Sequence, residues 1–134
     1  MKGIADTGLL VGFANRRDQH PQWAVSVAKQ VSEPLLTCEA VAEAAFPLGS
    51  CSVVFDVVSD GLVALAFDCT KHLPQLQGLA KRYADRKPDV ADLCLIRMSE
   101  LHPKLPVITV DREDFRVHRR NKREVIPLIC PTSD

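Results

Sequence analysis

Short apolar runs alternate with longer amphipathic stretches along the whole chain. Residues 2–5, "PLLT" at 34–37, "LVALAF" at 62–67 and "PVITV" at 106–110 read as short strands buried on both faces, and "VIPLI" at 125–129 reads as a possible fifth. Between them the period changes. A helix is expected from Thr7 to Asn15, followed by a polar loop at "RRDQHP". The stretch from His20 to Val31 carries Trp23, Val27 and Val31 on one face at i, i+4, i+8. "CEAVAEAAF" predicts a helix that Pro47 and Gly49 should terminate, and residues 51–59 predict another. "HLPQLQGLAKRYA" starts at a proline, "DVADLCLIRMSEL" runs to His102-Pro103, and "REDFRVHR" is short. Strands alternating with helices imply βαβ units, hence an α/β domain with a central, mostly parallel sheet of four to five strands covered on both faces. Ligands of such sheets bind at the carboxyl ends of the strands.

Composition narrows the class. The 134 residues carry no internal repeat or linker-like stretch and predict a single domain over 1–134. Apolar residues make up 46% and charged residues 25%, which excludes a disordered chain. Basic and acidic side chains number 17 each, so a partner can be read only from local charge. The five cysteines are scattered without a C-x-x-C pair, a pattern that fits reduced thiols better than a disulfide framework or zinc site. No signal-peptide pattern opens the chain, and "VVFDVVSDGLVALAF" is broken by Asp56, Asp60 and Gly61. The expectation is a soluble, cytoplasmic protein with no membrane partner.

The acids hold the candidate chemistry. Asp6 and Asp111 each follow a strand and precede a helix, which suits an N-cap; "DVAD" (89–92) and "DRED" (111–114) also resemble capping boxes. Asp92 fits capping less comfortably. Leu95 and Ile96 follow it at i+3 and i+4 on a helix apolar nearly all round, so its carboxylate needs hydrogen bonds or a cation. Glu39 and Glu43, spaced i, i+4, are explained by a solvated face, yet either could reach the strand-end edge. Converging carboxylates without basic partners repel and raise one another's pKa unless a divalent cation holds them. All-oxygen ligands favour Mg2+ or Mn2+, which can generate a nucleophile from water and neutralise charge on a phosphodiester.

The blocks "IADTGLLVGFANRRDQH", "LLTCEAVAEAAF", "DRKPDVADLCLIRMSEL" and "VITVDREDFRVHRR" occur in an order that resembles the PIN-domain family, within it the VapC-like toxin ribonucleases. The last block is the most specific; D-T-x-x-L alone is weak. The resemblance implies a three-layer α/β/α PIN-like fold and a Mg2+- or Mn2+-dependent endoribonuclease acting on RNA, usually a homodimer blocked by a cognate antitoxin. By resemblance, Asp6, Glu43, Asp92 and Asp111 are the metal-holding and catalytic acids. Glu39, Asp89, Thr109 and Asp114 are possible additional ligands or support. The stretch from Thr37 to Glu43 is one residue shorter than the family pattern, which keeps Glu39 as a rival to Glu43, and Pro47 falls where the family usually continues a helix. No histidine is required as a general base, so His20, His72, His102 and His118 read as surface or loop residues.

Basic residues gather beside the last acid: Arg112, Arg116, Arg119, Arg120, Lys122 and Arg123. Singly each suits a solvated surface; as a group the arginines could hold phosphates of single-stranded RNA. Two other readings compete. One is a catalytically silent PIN-like module that binds RNA or protein. The other is a phosphoacceptor receiver-like domain, disfavoured because the acids spread over four segments. A Trp23 at helical spacing indicates core or dimer contact rather than base stacking.

Overall fold

The structure, a computed structural model, describes residues 1–14, 21–45 and 51–131, without the side chains of Ala14, Pro21, Asp114 and Arg116. The expected polar loop with His20, the helix stop at Pro47 and Gly49, and the side chains of Asp114 and Arg116 lie outside what it describes.

Five short strands form one sheet: β1 (Ile4–Ala5), β2 (Leu35–Thr37), β3 (Val63–Leu65), β4 (Val107–Ile108) and, late in the chain, β7 (Leu128–Ile129). Their order is β3-β2-β1-β4-β7, and all four pairings are parallel. Ile4 registers with Leu36 on one side and Val107 on the other, and Ala5 with Ile108. Ile4, Ala5, Leu35, Val107 and Ile108 are all wholly buried, as strands covered on both faces must be.

Helices α1 (Thr7–Ala14) and α2 (Pro21–Gln30) join β1 to β2, and α3 (Glu39–Ala45) and α4 (Cys51–Ser59) join β2 to β3. Helices α5 (Leu73–Arg82) and α6 (Val90–Leu101) return the chain from β3 to β4. Parallel crossovers are right-handed, so connections running in opposite directions across the sheet cover opposite faces. Helix α1 packs on α2 and α4, while α6 packs on α5 and β1, giving the three-layer α/β/α arrangement expected of the chain. Among the described residues no helix is long and apolar enough to cross a membrane.

Helix α6 meets its expectation closely. Ala91, Leu93, Cys94, Leu95, Ile96, Met98 and Ser99 are buried, so it is enclosed nearly all round. Trp23 is partly buried against the core, beside Ala24 and Val27, which are buried. Two tight approaches bring β1 and α1 against β4. A Cβ on Gly3 would stand 2.8 Å from Ile108 Cδ1, and one on Gly8 would stand 2.3 Å from Val110 Cγ2. Gly8 therefore lets the first turn of α1 close over the end of β4.

The chain's end differs from expectation. "VIPLI" is not one strand: β6 (Glu124–Val125) pairs antiparallel with β5 (Arg119–Arg120), and only Leu128–Ile129 joins the main sheet. Pro127 sits between the two, and its carbonyl accepts from Val107 N–H at 2.9 Å. The short helix α7 (Arg112–Val117) precedes this hairpin, whose turn places Asn121 and Lys122 at φ 48° and 73°. Asn tolerates that left-handed backbone through local side-chain hydrogen bonding.

Candidate functional site

The strand order reverses around β1. The chain moves outward from β1 through β2 to β3, then crosses back to β4 on β1's other side. Such a switch point opens a crevice at the carboxyl ends of the two strands where the direction changes. Asp6 follows β1 there, and Thr109 and Asp111 follow β4.

Backbone ladders fix this corner before any side chain acts. Asp6 N–H donates to Ile108 O at 3.1 Å, and Thr109 N–H donates to Ile129 O at 2.9 Å. The Asp6 carbonyl then accepts from Leu10 N–H at 3.3 Å, opening α1. The Thr109 hydroxyl, wholly buried, donates to Asp6 Oδ2 at 2.6 Å and accepts from Asp111 N–H at 2.9 Å. Asp6 Oδ1 accepts from Thr7 N–H at 2.6 Å and from its hydroxyl at 3.3 Å. Asp6 thus occupies the N-cap position through its backbone, while one carboxylate oxygen is aimed across the crevice at β4. A typical cap would accept from the second or third helical N–H.

Only 6% of Asp6 is exposed, and its described hydrogen-bond donors are neutral. Burial pushes its carboxyl pKa up; the hydrogen bonds from Thr109 and Thr7 pull it back, and the nearby Asp111 charge adds to the rise. Asp92, half-buried on the first turn of α6, is held up at about 6, first by burial and then by the charge of Asp89, with Asp6 adding to it. Asp6, Asp92 and Asp111 therefore share one electrostatic field at one sheet edge. Asp111 itself is exposed at the mouth.

Capping and site-forming roles coincide at Asp92. Asp89 Oδ1 accepts from Asp92 N–H at 2.8 Å, and Asp92 Oδ2 accepts from Asp89 N–H at 3.3 Å, a reciprocal capping box at the start of α6. Glu39 and Glu43 are both exposed on α3, and no described contact ties either to Asp6, Asp92 or Asp111. Among the described residues, no three His, Cys, Asp or Glu side chains stand together as a ready metal-holding group. The donor chemistry nevertheless fits a hard divalent cation: the carboxylates present oxygen only, and Asp6 is buried without a described cationic partner.

Two expectations about the neighbouring residues are corrected. Arg120 is not a surface cation. It is 4% exposed, its Nη1 donates to Ser99 O at 2.9 Å and Ser99 Oγ at 3.0 Å, and its Nη2 donates to Pro103 O at 3.0 Å and Glu124 Oε1 at 2.7 Å. The two terminal nitrogens join the hairpin to α6, while Nε is buried with no hydrogen-bond partner among the described residues. Arg112 stays exposed, and Arg119 is half-buried with Nη1 donating to His118 O at 3.0 Å.

His118, expected as a surface or loop residue, does lie in the connection between α7 and β5 but not at the surface. It is 4% exposed, packed edge-on against Tyr83 and Phe115, and its Nδ1 is buried without a hydrogen-bond partner among the described residues. Burial holds its pKa below the usual value, while the charges of Asp111 and Asp6 pull the other way. The signal was present in the i, i+3 spacing from Phe115. His72 is half-buried, stacked on Phe67 with its Nδ1 accepting from Arg97 Nε at 3.2 Å. No family model matches this chain, and no curated protein matches it by sequence.

Proposed function

We propose that the chain is a PIN-like, VapC-like endoribonuclease that hydrolyses RNA phosphodiesters with Mg2+ or Mn2+. The observation that carries this reading is the buried Asp6 carboxylate, with no cationic partner among the described residues, at the switch point of a parallel sheet and inside a field shared with Asp92 and Asp111. Asp6, Asp92 and Asp111 would hold the cation, with Glu43, or its rival Glu39, completing the set from α3. When bound, the ion supplies charge neutralisation at the scissile phosphate and a more acidic water. The chain's own residues do the rest. Thr109 and Thr7 lock the Asp6 carboxylate in orientation, and the Thr109 hydroxyl couples it to the backbone of Asp111. Asp111, at the solvent mouth, orients the attacking water. The exposed Arg112 beside it holds a flanking phosphate, a role Arg119 can share and Arg120 cannot.

The toxin role, a cytoplasmic location, a cognate antitoxin and a homodimer belong to the same proposal. The exposed apolar side chains Val25 on α2 and Phe55 on α4 support a protein partner. The test is cleavage of a panel of single-stranded and structured RNAs by purified protein. Cleavage should require Mg2+ or Mn2+, stop with EDTA, and be lost in Asp6→Asn. An intact panel with metal-replete protein free of any bound partner would sink the nuclease reading, and RNA bound but uncut would replace it with a binding module.

A further inference from the structure

Two thiols meet at α6, away from the Asp6 carboxylate. Cys94, on α6, is wholly buried, and Cys38, directly after β2, is buried as well at 1% exposed. Cys69 is partly exposed at the start of the 3-10 turn Cys69–His72, which leads from β3 towards α5. Its Sγ lies 3.6 Å from Cys94 Sγ.

We propose that Cys69 and Cys94 are a modification site, forming an intramolecular disulfide when the protein meets a peroxide. A disulfide spans about 2.05 Å, so the sulfurs must approach by about 1.5 Å. The partner that shifts is the start of the turn, where Asp68, Thr70 and Lys71 are exposed and Asp68 Oδ1 accepts from Thr70 N–H at 2.9 Å; its far end stays tied to α6 through His72 Nδ1, which accepts from Arg97 Nε at 3.2 Å. Helix α6 is enclosed and stays in place.

Cys69, the less buried of the two, reacts first. Cys69 Sγ attacks one peroxide oxygen, the O–O bond breaks, and Cys69 becomes a sulfenic acid while its thiol proton leaves with the departing oxygen as water. Cys94 Sγ then attacks Cys69 Sγ; the S–O bond breaks, and the hydroxyl leaves as a second water with the Cys94 proton. Two thiols and one hydrogen peroxide give one disulfide and two waters. The partly buried position of Cys69, with Cys94 in contact, favours this resolving step over further oxidation. The bond latches the turn after β3 onto α6, two residues beyond Asp92.

The test uses the full chain and hydrogen peroxide, with thiol counting under denaturing conditions and peptide mapping by mass spectrometry. The wild-type protein should lose two of its five thiols and yield a Cys69–Cys94 cross-linked peptide that dithiothreitol releases. Cys69→Ser and Cys94→Ala should each abolish that peptide, while Cys51→Ser should leave it. Stable sulfinic acid on Cys69 without a cross-link, or a cross-link through other cysteines, would overturn the proposal. None of these readouts uses RNA cleavage, so the disulfide stands or falls apart from the nuclease reading.

Discussion

Asp6 shows how one residue can satisfy two demands. Its backbone opens α1, and its side chain is turned towards β4, where the Thr109 hydroxyl holds it. Burying a carboxylate beside other carboxylates costs stability unless a cation offsets it. A divalent cation at about a hundred times its dissociation constant should therefore stabilise the wild-type protein by about 3 kcal/mol. Thermal denaturation with and without Mn2+ checks this, and Asp6→Asn should lose most of the shift. Asp92 gives a pH-dependent companion. Its folded pKa, about 6, stands above the ordinary 3.8, so the folded state binds the proton more tightly. The stability this contributes is present at low pH and is lost as pH rises through about 6. Metal-free Asp92→Asn should thus be more stable than wild type at pH 7.5, by about 1 kcal/mol after allowing for solvent screening of a half-buried group. The difference should close as pH falls to about 4. His118 acts in the opposite sense, its depressed pKa removing stability as pH falls below 6.5, but it is common to both proteins and cancels. Equal denaturation curves at both pH values would contradict the strained state of Asp92.

At the scale of elements, the β1–α1 junction depends on a missing side chain. A methyl group at Gly8 would meet Val110 Cγ2 at 2.3 Å, so Gly8→Ala should destabilise by about 1–3 kcal/mol through overpacking. Val110→Ala added to it should restore part of the loss, since it removes the atom that is struck; chemical denaturation of the single and double variants measures both. The helices and first four strands were legible because each has a clear period or apolar run bounded by Gly, Pro or Asp. The final hairpin was not. Its two strands, unlike β1 and β4, lie in no apolar run, and "RRNKRE" looks like a solvated basic turn until Ser99 and Pro103 supply the partners that draw Arg120 inward.

Across the whole molecule, zero net charge means that the proposed RNA binding must rest on local cations. Arg112 and Arg120 separate the two uses of arginine. Arg112→Ala should leave stability near wild type and lower the dependence of RNA binding on salt by about 0.7 in log–log slope, one phosphate contact on a single strand. Arg120→Ala should instead cost about 2–4 kcal/mol of stability, because Ser99 and Pro103 lose buried charge-assisted hydrogen bonds. Fluorescence anisotropy across a salt series, beside denaturation curves, distinguishes them. A normal fold with weakened RNA binding in Arg120→Ala would contradict this assignment.

Sequence alone determined the fold class, the placement of acids after β1 and β4, and the enclosure of α6, because local periodicity and capping chemistry act over a few residues. Tertiary structure decided the strand order, and with it that Asp6, Thr109 and Asp111 meet at one corner of the sheet, since residues 103 apart can meet only through pairing that no local pattern encodes. It also decided that Arg120 and His118 turn inward and that Cys69 meets Cys94. Burial of a polar side chain depends on partners from other elements, and those partners exist only once the chain has folded.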